Sequence, residues 1–137
     1  MTGDLQQLTD IQAITQLKAR YCRCVDTKDW AGYAACLTDD FRLVGDGGVH
    51  DGRDDVVAFV STALERATTV HHVHNPEITV NGNTARAIFP MNDYVELPGF
   101  VLRGYGHYHE EYVRTSDGWR VKSSTVKRLR VDTEGDV

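Results

Sequence analysis

Two short strings carry the residues best suited to acid–base chemistry. In CVDTKDW, residues 24–30, the carboxylate of Asp26 follows apolar and thiol side chains at the point where a helical pattern gives way to a turn. In HHVHN, residues 71–75, three imidazoles lie within one segment. Imidazole titrates near neutral pH, and a neighbouring carboxylate fixes its tautomer and charge. Such a pair is the minimum for moving a proton from carbon to a departing hydroxyl, although Asp26 could instead be a helix-capping acid.

Alternation along the histidine segment separates its imidazoles into two sets. His71 and Val73 fall on one face of the predicted strand, and His72 and His74 on the other. The apolar pattern then shifts by one residue. This shift predicts a bulge near residues 75–76, where a proline also interrupts the strand.

The elements that must position these groups begin with helices. Apolar residues recur at three- and four-residue steps from Thr9 to Val25, which predicts an amphipathic helix. A second, shorter helix is predicted from about Asp29 to Leu37, and a third from near Asp54. Between the second and third helices we expect a short strand, residues 41–44, and an irregular glycine-rich loop, GDGGVHDGR.

From Thr68 onward the apolar period changes to two, which predicts strands. Asn81-Gly82 is a strong signal for a tight hairpin turn, because both turn positions need positive φ. The predicted strands cover residues 71–80, 84–96, 100–114 and 119–131, and a polar tail from about 132 is expected to fray. Helices followed by a strand meander predict a single α+β domain over residues 1–137. Its helices would pack on one face of a curved antiparallel sheet, with a pocket between them.

Composition narrows the possible partners. The 137 residues carry a net charge of −5 and 41% hydrophobic side chains, as expected of a globular domain. An acidic balance argues against a broad surface for nucleic acid or anionic membranes. No segment approaches the roughly 18 apolar residues of a membrane span, and the first ten residues lack a signal-peptide pattern. We therefore expect neither nucleic acid nor membrane as a partner.

The three cysteines, Cys22, Cys24 and Cys36, are an odd number, and the first two are too close together for an ordinary disulfide framework. This pattern favours reduced thiols in a cytoplasmic protein. Packing as small hydrophobic side chains is the expected role. A redox or metal-binding role for the Cys-x-Cys pair is the alternative.

Four strings together resemble the SnoaL-like branch of the nuclear transport factor 2-like superfamily. They are RYCRCVDTKDWAGYAACLTDDF, TTVHHVHNPEITVNGNTARA, GHYHEEYVRTSDGWRV and KRLRVD. The resemblance spans most of the chain and implies the cone-shaped α+β fold shared by scytalone dehydratase, ketosteroid isomerase and polyketide cyclases. It also implies self-association, as a homodimer or homotrimer.

The same resemblance assigns expected roles to individual residues. Asp26 matches the cavity acid of scytalone dehydratase-like members, and His71 matches the histidine that cooperates with it. Tyr21 matches a phenol that bile-acid dehydratase-like relatives place in the pocket. Val25 departs from the pattern, because the dehydratase has a tyrosine there. His72 is the alternative pocket histidine, as a substrate-binding residue.

Candidate substrate-binding residues lie on the later strands. Asn92 and Asp93 fall where the family has a further polar cavity residue, and either could hydrogen-bond a substrate hydroxyl or carbonyl. Arg128 could reach a substrate carboxylate or a thioester phosphate, as could Lys127 or Arg130. A solvated edge strand is the alternative for these basic residues.

A competing interpretation is a metal site. His107, His109 and Glu111 alternate along one strand, and two imidazoles plus a carboxylate could hold iron or zinc. The second motif of cupin-like sites is missing, as are a nucleotide-binding glycine loop and a serine nucleophile elbow. The sequence therefore predicts no metal and no cofactor.

These observations predict a cofactor-independent dehydratase or isomerase for a hydrophobic, polycyclic, steroid- or polyketide-like small molecule. The alternative is a non-catalytic ligand-binding or dimerisation module of the same fold. An open cavity with Asp26 and His71 within hydrogen-bond distance would favour the enzyme. A cone filled by side chains would favour the module.

Overall fold

Three helices cover one face of a seven-stranded sheet in the computed structural model, which describes residues 2–136. The helices are α1 (Thr2–Asp26), α2 (Trp30–Ala35) and α3 (Arg53–Ala63). The strands are β1 (Leu37–Gly45), β2 (Gly48–Asp51), β3 (Thr68–Val73), β4 (Glu77–Asn81), β5 (Thr84–Leu97), β6 (Phe100–Thr115) and β7 (Gly118–Gly135). The predicted α+β arrangement of helices on a curved sheet is confirmed.

The sheet order is β2-β1-β7-β6-β5-β3, with β4 also paired to β5. Strands β5, β6 and β7 form the predicted antiparallel meander. The sheet is nevertheless mixed, because β1 pairs with β7 in parallel, Leu43 opposite Ser124. No tight turn joins β1 to β7, so local turn chemistry does not dictate their relative direction.

Several predicted boundaries need correction. Helix α1 begins at Thr2, seven residues before the predicted start at Thr9. The second helix ends at Ala35, and β1 already begins at Leu37, earlier than predicted. The glycine-rich loop contains strand β2, whose residues pair with β1 in a hairpin. The tail predicted to fray from residue 132 continues β7 to Gly135, because the start of β6 supplies its backbone partners at residues 100–103. Residue 137 lies outside the described residues.

The predicted bulge between the histidine strand and the next is confirmed. Val73 lies opposite Met91, and Glu77 lies opposite Ile88. Three residues, 74–76, therefore face two residues of β5, and the backbone N–H of His74 donates to the Pro90 carbonyl at 2.9 Å. Because of the extra residue, the apolar side chains of β4, Ile78 and Val80, again point toward the core.

The concave face of the sheet packs on the apolar stripe of α1. Ile14, Leu17, Tyr21 and Val25 are all buried on this stripe, as the periodicity predicts. Lys28 has a φ of +58°, a left-handed conformation that ends the helical path. The last residue of α1, Asp26, lies against β3, with which the helix makes contact.

The cysteines lie in this core. Cys22, Cys24 and Cys36 are buried and unpaired among the residues that the structure describes. Burial raises the pKa of Cys22 to about 11, so its thiol stays protonated at neutral pH and packs as a small apolar group. Within residues 2–136 there is no helix of the length and apolarity that a bilayer crossing requires.

Candidate active site

Asp26 and His71 face each other between the end of α1 and the middle of β3. His71 Nδ1 lies 2.7 Å from Asp26 Oδ1, and the His71 backbone N–H donates to Asp26 Oδ2 at 2.8 Å. An ionised carboxylate only accepts hydrogen bonds, so in its neutral form the imidazole would carry its hydrogen on Nδ1 and have a lone pair on Nε2. The His71 side chain is 18% exposed and the Asp26 side chain is 20% exposed. This is the arrangement of a histidine base oriented by an acid.

Asp26 is not the capping acid that its position at a helix end suggested. Asp29 has that role, since its Oδ1 accepts from the Gly32 backbone N–H at 2.9 Å at the start of α2. The Asp26 carboxylate instead accepts a third hydrogen bond, from Thr69 Oγ1 at 2.9 Å. Burial alone would raise the Asp26 pKa, but the hydrogen bonds from His71 and Thr69 outweigh it and hold the pKa below its usual value.

A cavity of about 220 Å³ lies between the helices and the concave face of the sheet. Tyr21 enters it from α1, His71 from β3, Asp93 from β5 and Arg128 from β7. Its apolar wall includes Val25, Leu43, Val60, Leu64, Val95 and Val126. Asp26 lies behind His71 in the wall of a second, more open groove, so the imidazole separates its carboxylate from the cavity.

Tyr21 lies at a buried end of the cavity. Its hydroxyl is 3.2 Å from the Tyr33 hydroxyl, and the two rings pack edge to face with centroids 4.8 Å apart. Burial raises the pKa of Tyr21 well above its usual value, and the nearby Tyr33 and Glu110 add to the shift. The phenol is therefore a neutral hydrogen-bond donor across the physiological pH range.

Asp93 and Arg128 form the second polar cluster of the cavity. Arg128 Nη1 and Nη2 donate to the two carboxylate oxygens of Asp93, each at 2.9 Å, and Nε donates to Asp46 Oδ2 at 2.8 Å. The hydrogen bonds to Asp93 raise the Arg128 pKa, against the opposing effect of burial. A β-carbon at Gly104 would overlap both side chains of the bidentate pair. Any larger residue at that point of β6 would therefore force the Asp93–Arg128 pair to move.

Asn92 and His72 do not line this cavity. They are paired across β3 and β5 with their side chains on the outer face, because neighbours of the inward-facing Asp93 and His71 must point the other way. Asn92 Oδ1 lies 2.7 Å from His74 Nε2 at the surface. His72 lies beside the open groove that Asp26 also lines.

The other basic and histidine candidates are also peripheral. Lys127 and Arg130 are exposed, and Arg130 pairs with Asp132 on its own strand. His107 and His109 lie on strand positions next to the buried Tyr108. Across residues 2–136, no three histidine, cysteine or carboxylate side chains approach closely enough to hold a metal ion.

A buried ion pair beneath the cavity was missed by sequence reasoning. Lys18 Nζ lies 2.7 Å from Glu110 Oε2, and neither side chain has any exposed surface. The same ammonium lies 3.8 Å from the Tyr21 ring centroid and 4.0 Å from that of Tyr108. The sequence contained a signal for this buried charge, because Lys18 falls on the apolar stripe of α1, four residues after Ile14.

Glu110 has further donors that complete this cluster. Tyr112 donates to Oε1 at 2.6 Å, and Ser124 donates to Oε2 at 2.5 Å. The alternation of β6 places Tyr108, Glu110 and Tyr112 on one inward face. Each polar atom of the buried pair therefore has at least one hydrogen-bond partner, as an ion pair in a core requires.

Comparison with known proteins supports the same fold. Over 133 residues the chain is 26% identical to "Probable cyclase FGR4" from Gibberella zeae, covering 85% of this chain and 89% of that protein. The structure of Kfla4162 from Kribbella flavida superposes with a TM-score of 0.86 at 21% identity, covering 92% of this chain and 95% of that one.

A second solved structure matches over nearly the full length. It is the hexachlorocyclohexane dehydrochlorinase LinA-type3 from Novosphingobium barchaimii LL02, with a TM-score of 0.84 at 18% identity, covering 98% of this chain and 96% of that one. These structural matches confirm the cone-shaped fold. Residues 6–125 match the SnoaL-like domain family. Since that match spans most of the 137 residues, the chain belongs to the SnoaL-like domain family, within the nuclear transport factor 2-like superfamily.

Proposed function

We propose that the chain is a cofactor-independent acid–base enzyme, a dehydratase or isomerase, for a hydrophobic ring-containing small molecule of polycyclic, steroid-like or polyketide-like type. The observation that carries the proposal is the 2.7 Å contact between Asp26 and His71 at the wall of a largely apolar cavity. Apolar cavities with a few convergent polar groups are typical small-molecule sites. The similarity of the chain to a probable cyclase and to a dehydrochlorinase also supports an enzyme.

In the proposed reaction His71 Nε2 removes a proton from a carbon next to a substrate carbonyl. Asp26 keeps the Nδ1 hydrogen in place and stabilises the imidazolium that forms. Tyr21 donates a hydrogen bond to the carbonyl or to the departing hydroxyl. In a dehydration, the C–O bond breaks and the imidazolium returns its proton to the hydroxyl, which leaves as water. In an isomerisation the proton returns to another carbon.

Asp93 and Arg128 would hold a polar group at the other end of the substrate. Arg128 carries five N–H donors, of which Asp93 and Asp46 use three. Two N–H donors are then available for a substrate hydroxyl or carbonyl. The apolar wall between these two polar ends would exclude water from the reacting carbon.

A non-catalytic binding module of the same fold remains the rival candidate. The close Asp26–His71 contact favours the enzyme, whereas the cavity suits either candidate. The two candidates make different predictions for proton exchange. A module would bind ligands without exchanging their protons.

The test begins with a thermal-shift screen of steroid, terpenoid and aromatic polyketide scaffolds. Ligands that raise Tm and contain a ketone are then incubated with the protein in D₂O, and deuterium incorporation is followed by mass spectrometry. We expect His71→Asn to slow exchange by about 10²–10⁴-fold, the usual contribution of a positioned base. Asparagine still offers an N–H to Asp26 but has no basic nitrogen. Ligand affinity should therefore change little.

His74→Asn is the matched control, because His74 lies on the outer face of the same segment and pairs with Asn92. The His74→Asn variant should exchange ligand protons at the wild-type rate. Exchange by His71→Asn at the wild-type rate would refute the proposed base. The wild-type protein could also bind ligands without exchanging their protons or forming any product. That result would favour the binding module.

A further inference from the structure

The tip of the β1–β2 hairpin, residues 45–48, forms part of the cavity wall. From this tip Asp46 reaches Arg128, with its Oδ2 2.8 Å from Nε. The Asp46 side chain is 62% exposed, whereas that of Arg128 is only 15% exposed. A solvated carboxylate thus occupies one edge of the guanidinium that faces the cavity.

Packing against α3 holds this tip independently of the ion pair. The His50 ring stacks on Phe59 with centroids 3.8 Å apart and an interplanar angle of 18°. Gly47 lies so close to Phe59 that an added β-carbon would be 2.8 Å from the ring. An exposed ion pair contributes little by itself. The packing of His50 and Gly47 on Phe59 therefore keeps Asp46 beside Arg128.

The charges around the cavity are unbalanced at this end. The carboxylates of Asp46 and Asp93 both contact the single guanidinium of Arg128. Two histidines line the cavity: His71 has the Asp26 carboxylate as its partner, and His50 Nε2 lies 3.0 Å from the Gly47 carbonyl oxygen. Lys18, beneath the tyrosine rings, is neutralised by Glu110. Among the described residues, the lysine and arginine groups at the cavity are therefore all paired with carboxylates.

This arrangement discriminates between ligands by charge. An anionic ligand group that accepts from the remaining N–H groups of Arg128 would lie close to the carboxylates of both Asp46 and Asp93. Like charges at such distances repel. An uncharged hydroxyl or carbonyl oxygen can accept from the remaining guanidinium N–H groups without displacing either carboxylate.

We propose that Asp46 is a specificity-determining residue, which makes the cavity select uncharged ligands over anionic ligands of the same shape. The proposal rests on the cavity being the ligand site of the proposed function. It does not depend on proton transfer. It narrows the substrate class to neutral molecules whose oxygen meets Arg128, and it assigns the hairpin tip a role in substrate choice.

Two fluorescent probes with one ring system provide the test. N-phenyl-1-naphthylamine is uncharged, and 8-anilinonaphthalene-1-sulfonate adds a sulfonate to the same rings. Both are titrated against the wild-type protein and Asp46→Asn at fixed salt, and the ratio of the two Kd values is compared. We expect Asp46→Asn to strengthen sulfonate binding at least fivefold and to change the Kd of the neutral probe less than twofold.

Asp51→Asn is the matched control. It removes the same charge from the same hairpin, but Asp51 is 68% exposed and pairs with Arg42. Its Kd ratio should equal that of the wild-type protein. Asp46→Ala should repeat the shift seen with Asp46→Asn, and circular dichroism checks that each variant is folded.

Three results would overturn the proposal. They are an unchanged Kd ratio in Asp46→Asn, an equal change in Asp51→Asn, and a wild-type protein that binds neither probe. The first result would show that Asp46 does not discriminate between neutral and anionic ligands. The second would show that the Kd ratio depends only on the overall charge of the protein. Because the titration involves no turnover, a failure of the His71 exchange experiment would leave these outcomes unaffected.

Discussion

Three hydrogen bonds converge on the Asp26 carboxylate, from the ring and backbone N–H groups of His71 and from the Thr69 hydroxyl. They stabilise the ionised form, which is why the Asp26 pKa lies below its usual value despite burial. Stability from this lowered pKa is present above the pKa of the unfolded chain. It is lost as the pH falls through the folded value. At neutral pH the carboxylate is therefore ionised and holds the imidazole.

At the residue scale the Thr69 hydroxyl offers the cleanest test of this carboxylate site. Thr69→Val keeps the shape and strand propensity but removes one donor to a partly buried charge. We expect a loss of about 1–2 kcal/mol in the free energy of unfolding, measured with urea at pH 7. Thr68→Val, at the exposed neighbouring position, should stay within about 0.5 kcal/mol of wild type. Equal effects of the two substitutions would contradict this role for Thr69.

At the scale of elements, a buried ion pair joins the middle of α1 to β6. Lys18 and Glu110 are both fully buried and 2.7 Å apart, and the Lys18 ammonium also contacts the rings of Tyr21 and Tyr108. The ion pair thus fixes the helix relative to the strand beneath the cavity. Removing one partner would leave an uncompensated charge in the core.

Lys18→Met should therefore lower the free energy of unfolding by about 3–5 kcal/mol, measured by urea denaturation. Lys122→Met is the matched control, because Lys122 makes a 2.6 Å ion pair with Asp40 whose side chains are 42% and 67% exposed. That substitution should cost less than about 1 kcal/mol. The double variant Lys18→Met/Glu110→Gln should be more stable than Lys18→Met alone. A smaller loss from Lys18 than from Lys122 would refute the buried-charge explanation.

At the scale of the whole molecule, three long strands form the concave floor of the cavity. Strands β5, β6 and β7 have 14, 16 and 18 residues. The β6–β7 register shifts between Tyr105 and Gly106 and between Glu111 and Tyr112. Bulges of this kind bend and twist a sheet, and the bend creates the space that α1 and α3 cover only in part.

The assembly expected from the family resemblance is a homodimer or homotrimer. The outer surface offers apolar area, since Leu129 is 78% exposed and Val131 is 43% exposed. Multi-angle light scattering should give about two or three times the 15.3 kDa of the chain. A mass of one chain over the micromolar range would contradict the expectation. Wild-type protein is sufficient for this measurement.

Local patterns in the sequence determined much of this protein. Helical spacing predicted α1 and its buried stripe, Asn81-Gly82 predicted a hairpin, and a one-residue shift in alternation predicted the bulge after His74. Alternation also separated His71 from His72. These features depend on neighbours within a few residues, so periodicity and turn chemistry are enough to predict them.

Only the tertiary structure decided which of these residues meet. The Asp26–His71, Lys18–Glu110 and Asp46–Arg128 contacts join residues 45, 92 and 82 positions apart. The parallel pairing of β1 with β7 is equally non-local. Such contacts depend on where the curved sheet places each strand relative to the helices, and no local spacing encodes that distance. The sequence supplied an acid and a histidine suited to proton transfer, and the fold brought them to one wall of a cavity.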